Sequence, residues 1–240
     1  NEILPSSKEI SIKLILIYIV LTFGCGLSYK IFGMNIFDSI THSMTTIATG
    51  GFSNYNESIG YFNSSKIEIV AILFIILGSI PFISYIKYIS GNKKIFLKDS
   101  QITTFVKLIF ASILILFIYL ALKNGNFSFS NVRSITFNVV SILTGTGYVT
   151  KEFDQWGSFP LFYFLILMFI GGCAGSTACG IKIFRVQILF RFIINQLKKI
   201  IYPRGIFTIK YENNNVDDKF LASIISFIFL YIVIFFILTA

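Results

Sequence analysis

The sequence predicts an all-α integral membrane protein built from tandem repeats of helix, short helix, loop and helix. Three observations carry that expectation. Of the 240 residues, 55% are hydrophobic and only 13% charged, against about 25% charge in an ordinary soluble domain. Five long apolar segments, at about 10–32, 67–90, 102–122, 159–192 and 219–240, reach or approach the ~20 residues a spanning helix requires. Between them a weaker, Thr-rich pattern ending in Gly-aromatic occurs twice, with Gly51-Phe52 and Gly147-Tyr148 separated by 96 residues.

The first apolar segment is followed by NIFDSITHSMTTIATGGFS, residues 35–53, too short and too polar to span. It reads as a re-entrant short helix over about 36–48 and a loop over 49–53, entering and leaving on one side of the membrane. Asp38, or Asn35 just before it, is positioned to cap the helix. After segments 67–90 and 102–122 comes the counterpart, SNVRSITFNVVSILTGTGYVT, with a short helix over about 131–143, capped by Ser130 or Asn131, and a loop over 144–149. At the 96-residue spacing Thr45 falls on Ser141 and His42 on Asn138. His42, the only histidine, reads as a polar residue packed behind the first loop rather than as a proton relay. The fourth segment is interrupted by GGCAGSTACG, residues 171–180, whose glycines each cost about 1 kcal/mol in a helix relative to Ala. Unwound backbone at membrane depth is tolerated only where it is buried in protein or lines a cavity, so this run reads as a mobile gate beneath the two loops. Lys182 and Arg185 either anchor its lower end or mark the membrane boundary.

The net charge of +9 lies in the connecting segments rather than on a soluble basic face, which excludes nucleic acid as a partner. If both Gly-aromatic loops face one side, only Lys30, Lys66, Lys123, Arg133 and Lys151 lie there, and the other fifteen of the twenty Lys and Arg lie opposite. That asymmetry puts the loops outside and the basic segments 91–101 and 193–218 in the cytoplasm. Cys25, Cys173 and Cys179 sit in apolar or small-residue runs, with no pattern for disulfides or metal. Deep intramembrane carboxylates, which a proton-driven antiporter needs, are not expected in any span. Both ends read as interior to a longer polypeptide.

A cation crossing a bilayer exchanges its water shell for other oxygens, and backbone carbonyls supply them without a fixed charge. Thr49-Gly50-Gly51 and Gly145-Thr146-Gly147 have the backbone freedom and hydroxyls for such a filter, with Phe52 and Tyr148 as wedges against the surroundings. The C-terminal ends of the short helices would add negative dipole potential.

HSMTTIATGGFS, SILTGTGYVT and above all GGCAGSTACGIKIFRVQ resemble the TrkH branch of the Trk/Ktr/HKT potassium-uptake superfamily. The resemblance implies four potassium-channel-like helix–pore-loop–helix repeats around one pseudo-fourfold pore. Residues 1–96 correspond to the second repeat, 97–195 to the third, 196–218 to a cytoplasmic linker and 219–240 to the first helix of the fourth. It implies a non-enzymatic pore subunit in the bacterial inner membrane that carries K+ without an organic cofactor. The implied partners are a second copy, forming a homodimer, and a cytosolic nucleotide-binding regulatory subunit resembling TrkA. By the same resemblance the gate is formed by Gly171, Gly172, Gly175, Ser176, Thr177, Gly180 and Lys182. The alternative is the potassium-binding subunit of an ATP-driven pump. Two positions depart from the family pattern: Gly145 replaces the middle Thr of TTTGY, and Cys179 replaces a usual Gly in the gating run.

Overall fold

The computed structural model describes residues 7–124, 129–150, 153–205, 207–212 and 214–239, and the chain divides into two compact units at Gly180. Among the described residues the first unit contains α1 (Ser7–Ile31), α2 (Ile36–Ile47), α3 (Ser65–Gly78), α4 (Phe82–Ile89), α5 (Ile95–Lys98), α6 (Ser100–Asn124), α7 (Phe129–Leu143) and α8 (Ser158–Phe169). The second contains α9 (Ile183–Ile201), a two-stranded antiparallel hairpin of β1 (Lys210–Tyr211) and β2 (Asn214–Asn215), and α10 (Asp218–Thr239).

Three described helices, α1, α6 and α10, are long and apolar enough to cross a membrane. Their 22 to 25 residues rise about 33–37 Å, enough for a hydrocarbon core of about 30 Å. On α1 the side chains of Ile15, Leu16, Ile19 and Phe23 are exposed, while Ile17, Cys25 and Tyr29 are buried. That division fits a helix that shows apolar residues to lipid and packs its other face on protein, with small residues where helices approach most closely. Gly26 is one of these: a Cβ there would lie 3.2 Å from the Ser43 hydroxyl of α2.

The segment expected to run unbroken over 67–90 is two helices. α3 and α4 meet at Ser79-Ile80-Pro81 and bend by 84°. Pro81 explains the stop, since it offers no N–H to continue the helix and its φ of −59° suits the start of a new one. The run over 159–192 also divides, into the 12-residue α8 and the 19-residue α9, at the Gly-rich interruption. The two breaks lie in register: residues 78–81 fall on 174–177 at the spacing of 96.

Side chains cap the N-termini of α2 and α6. Asn35 caps α2, its side chain accepting from the Asp38 N–H at 2.7 Å. This decides between Asn35 and Asp38 as the cap. Asn131 lies inside α7 and does not cap it, while the side chain of Ser130, like Lys151, lies outside the described residues. Asp99 caps α6 by accepting from the Gln101 N–H at 2.9 Å.

In the second unit Ile188 of α9 packs with Leu221 and Ile224 of α10, with Phe184, Phe192 and Tyr211 around them. Arg185 lies with its guanidinium 3.9 Å from the centre of the Phe227 ring, a cation–π contact. This side chain serves the pairing of α9 with α10.

Within the first unit, α3 and α7 are joined by an ion pair. Arg133 Nε donates to Glu68 Oε2 at 2.6 Å, and its Nη1 donates to the Ser65 hydroxyl at 2.7 Å. Glu68 is buried, so removing its partner leaves a charge with little water. Arg133→Met should therefore destabilise the fold by about 3 kcal/mol, read as a fall in unfolding temperature in detergent. Adding Glu68→Met should recover most of the loss.

Candidate functional site

The two Gly-aromatic loops repeat one backbone design residue for residue. After α2, the N–H groups of Ala48, Thr49 and Gly50 donate to the carbonyls of Met44, Thr46 and Thr45 at 3.0, 3.1 and 2.8 Å. After α7, those of Thr144, Gly145 and Thr146 donate to Val140, Ile142 and Ser141 at 3.1, 3.0 and 2.9 Å. Every member of the second set lies 96 residues beyond its counterpart. Hydroxyls follow the same rule: Thr45 Oγ1 donates to the Phe52 carbonyl at 3.0 Å, and Ser141 Oγ to the Tyr148 carbonyl at 2.7 Å. The pairing of Thr45 with Ser141 thus has a physical content, since each hydroxyl ties the aromatic end of its loop back to its own short helix.

Left-handed backbone recurs in register as well. Thr49 has φ +49° and Gly51 +68°; Gly145 has +73° and Gly147 +82°. Gly50 and Thr146, between them, keep negative φ. A side chain in this region costs roughly 1–2 kcal/mol, so Gly145 occupies a position where its counterpart Thr49 is strained. The third and first residues of the triplets therefore both require the left-handed form, and glycine meets three of the four cases.

These loops touch. A Cβ on Gly51 would stand 1.8 Å from the Thr146 carbonyl oxygen, so no side chain fits, and that carbonyl projects toward the neighbouring loop. Around Gly147 nothing lies within 4 Å of a built Cβ; its side faces open space. The Gly60 N–H donates to the Val149 carbonyl at 3.1 Å and adds a further bond between the segments.

The two aromatic residues behave differently. Tyr148 is fully buried and reaches into the preceding short helix, its hydroxyl bonding with Thr45 Oγ1 and Thr46 Oγ1 and donating to the His42 carbonyl at 3.2 Å. Phe52 is 77% exposed. Of the two aromatics expected to brace their loops, Tyr148 is packed against a neighbouring helix and Phe52 is not. The difference is directional: Tyr148 packs backward onto α2, whereas among the described residues α1 alone precedes α2.

Behind the first loop, Asp38 is the centre of a brace. Its carboxylate accepts from Asn54 Nδ2 at 2.8 Å, Tyr55 OH at 2.8 Å and Asn35 Nδ2 at 2.7 Å. The chain leaving the loop is thereby fastened to the start of α2. His42 is fully buried; Nδ1 donates to the Asp38 carbonyl at 2.9 Å and Nε2 pairs with Ser53 Oγ at 3.0 Å. Its ring lies between Tyr55 and Tyr148, at centroid distances of 6.4 and 6.3 Å. In the second copy Asn138 and Thr150 take the places of His42 and Asn54. The Asn138 amide and the Thr150 hydroxyl are buried without a hydrogen bond among the described residues.

The run 171–180 lies against the C-terminal ends of α2, α3 and α7. Thr177 Oγ1 donates to Ile47 O at 2.7 Å and Gly78 O at 3.0 Å, and its N–H donates to Gly78 O at 3.2 Å. The N–H groups of Cys173 and Cys179 donate to Ser79 O at 3.2 Å and Thr144 O at 3.1 Å. Phe82 N–H donates back to Gly175 O at 2.9 Å, and Gln101 Oε1 accepts from Ala174 N–H at 2.9 Å. Ser176 Oγ closes the turn on Cys173 O at 2.6 Å. Glycine is obligatory at 171, where a Cβ would lie 1.7 Å from Cys179 O, and at 172, where it would lie 2.6 Å from Ala178 Cβ. Gly175 and Gly180 adopt φ of +71° and +79°. Lys182 belongs to the second unit, where it immediately precedes α9. Among the described residues no cluster of His, Cys, Asp or Glu is arranged to hold a metal ion through side chains; the oxygen-rich features of the site are backbone carbonyls and hydroxyls.

Burial alone would raise the Asp38 pKa. Its bonds with Asn54 and Tyr55, then the His42 ring and Asn35, outweigh burial and hold it below the ordinary carboxylate value. The brace therefore contributes stability that is fully present above the ordinary value of 3.8 and is lost as pH falls through the lowered folded value. Tyr55 is pushed up to about 12, first by its hydrogen bond to Asp38. Its contribution is fully present below 10.0 and is lost as pH rises through about 12. Asp38→Asn should flatten the acid and alkaline limbs of the unfolding temperature measured against pH, and lower its plateau.

The family model described as "TrkH: Cation transport protein" matches residues 3–240. The chain is 33% identical over 232 residues to the Trk system potassium uptake protein TrkI of Halomonas elongata, covering 96% of this chain and 47% of that protein. It is also 33% identical to the Trk system potassium uptake protein TrkH of Escherichia coli K12, over 98% of this chain and 49% of that protein. The crystal structure of the potassium transporter TrkH from Vibrio parahaemolyticus superposes with a TM-score of 0.92 at 30% identity, over 98% of this chain and 51% of that one. The chain thus spans about half the length of the relatives it matches. With a family match over nearly its whole length and the pore-loop repeat in its backbone, the chain belongs to the TrkH family of cation transport proteins.

Proposed function

We propose that this chain forms two adjacent walls of the pore in the membrane subunit of a bacterial Trk-type potassium uptake system. The observation that carries the reading is the repeated backbone of 49–51 and 145–147, with alternating sign of φ and the Thr146 carbonyl directed at Gly51. In an extended strand successive carbonyls point to opposite sides. Alternating the sign of φ turns them toward a common side, where they replace the water shell of a cation. Thr49, Gly50, Gly51, Gly145, Thr146 and Gly147 would supply those oxygens to K+, the transported ion.

The short helices support this role. α2 and α7 end at the two loops, so the negative ends of their dipoles lie beside the proposed filter. Tyr148 locks the second loop onto α2, and the Asp38 brace locks the first. In this reading Phe52 packs in the same sense as Tyr148, onto a preceding pore helix of the complete protein. Residues 1–96 act as one helix–pore-loop–helix repeat and 97–195 as the next.

Residues 171–180 are the gate. In the arrangement described they give donors to the carbonyls of Ile47, Gly78, Ser79 and Thr144, directly below both loops. Withdrawing the run would free those carbonyls to face a hydrated pathway, so its movement couples an open passage to oxygens suited to a cation. The Lys and Arg asymmetry supports loops facing outward and basic connections facing the cytoplasm, where the second unit would meet a nucleotide-binding, TrkA-like regulatory subunit. The complete protein functions as a homodimer in the inner membrane. Likeness to uptake proteins of the Trk system favours this pathway over the subunit of an ATP-driven pump.

The test is growth of a potassium-uptake-deficient bacterium on low potassium, rescued by the product of the full gene. Gly51→Ala forces a Cβ onto the Thr146 carbonyl and should abolish rescue. Gly147→Ser, which strains the backbone but enters open space, should weaken rescue or make it sodium-sensitive. Equal rescue by both variants and the unaltered protein would overturn the filter assignment.

A further inference from the structure

Gly145 and Cys179 face each other across the space between the second loop and the broken segment. A Cβ on Gly145 would lie 2.9 Å from Cys179 Cβ, closer than two such carbons sit without something moving. Backbone conformation alone does not demand glycine at this place. Thr49, its counterpart 96 residues earlier, carries a full side chain at φ +49° with nearly the same helix-terminal hydrogen bonds. The condition specific to position 145 is therefore the neighbour. Beside it the Cys179 N–H donates to Thr144 O at 3.1 Å, the carbonyl at the end of α7 where the loop begins.

The geometry points to Gly145 and Cys179 as a size-matched latch that holds the broken segment against the inner end of the second loop. This rests on the filter-and-gate reading above. The absent Cβ at 145 makes room for the Cβ at 179, and that fit brings the 179 amide within bonding distance of Thr144 O. With the amide in place, the positive end of an N–H dipole stands against a carbonyl that would otherwise be available to a departing cation. A methyl group at 145 would push residue 179 away by several tenths of an ångström and lengthen the bond. Because the contact runs through Cβ, the thiol itself is dispensable. Cys179 acts as a positioning residue through the carbon it shares with alanine.

That chemistry gives a test in three backgrounds. Gly145→Ala is made in the unaltered protein, in Cys179→Ala and in Cys179→Gly, each expressed from the full gene and purified into vesicles. The backbone strain of alanine at φ +73° is common to all three backgrounds and cancels in the comparison. Basal rubidium flux, measured without the regulatory subunit, should rise roughly fivefold on Gly145→Ala with Cys or Ala at 179, and by much less with Gly at 179. The unfolding temperature should show the same pattern: a larger fall with Cys or Ala than with Gly. An effect of equal size in all three backgrounds, or no rise in flux, overturns the latch. Unfolding temperature also separates this idea from its premise. If neither the unaltered protein nor any variant carries rubidium, the filter reading fails, while the thermal comparison still reports whether the two carbons are matched.

Discussion

Backbone carbonyls at the ends of broken helices govern this structure. A helix leaves its last four carbonyls without intrahelical partners, and inside a bilayer no water is at hand to satisfy them. Here α2, α3 and α7 all stop within the first unit, and the carbonyls of Ile47, Gly78, Ser79 and Thr144 meet donors from one short run, 171–180. That run is itself broken backbone and returns the same service, its Gly175 carbonyl accepting from Phe82 N–H. The small residues follow from this reciprocity. Gly171 and Gly78 sit where backbone meets backbone and Gly172 against the Ala178 methyl, and a Cβ at any of them would fall within 2.8 Å of a neighbouring atom.

From the same constraint come two different ways of fastening the backbone. Side chains fix the loops after α2 and α7 from behind. Thr45 and Ser141 hold the loop carbonyls, Tyr148 bonds to α2, and Asp38 binds Asn54 and Tyr55. The broken segment is fixed mainly by hydrogen bonds to helix ends, each of which another oxygen-seeking group could replace. The two walls are also not equivalent. His42 and Ser53 are joined behind the first, whereas Asn138 and Val149 occupy those places behind the second. An approximate repeat thus gives two loops one backbone and two different supports.

Much of this was legible in the chain. Apolar length and scarcity of charge identified the membrane class, and the spacing of 96 between Gly51 and Gly147 reappears bond for bond in the short-helix termini. The interruption at 171–180 was readable because ten residues of such composition are a poor helix. The bend at 79–81 was hidden, although Gly78 and Pro81 mark it, because the flanking residues are uniformly apolar and give no change of period. Opposite fates for Phe52 and Tyr148 could not be read from one Gly-aromatic pattern, since they depend on what precedes each repeat in space. Gly145 and Cys179, two separate departures from the family pattern, are 34 positions apart in the sequence, and only the fold brings them into contact.

The central claim is that carbonyls of 49–51 and 145–147 line one pathway and hold the transported ion. Anomalous diffraction from crystals of the full gene product grown with thallium, a potassium mimic, tests it most directly. Anomalous peaks are expected in the space between Gly51 and Gly147, at coordination distance from the Thr146 carbonyl. Thallium bound elsewhere in the membrane region, with none between the two loops, would contradict the claim.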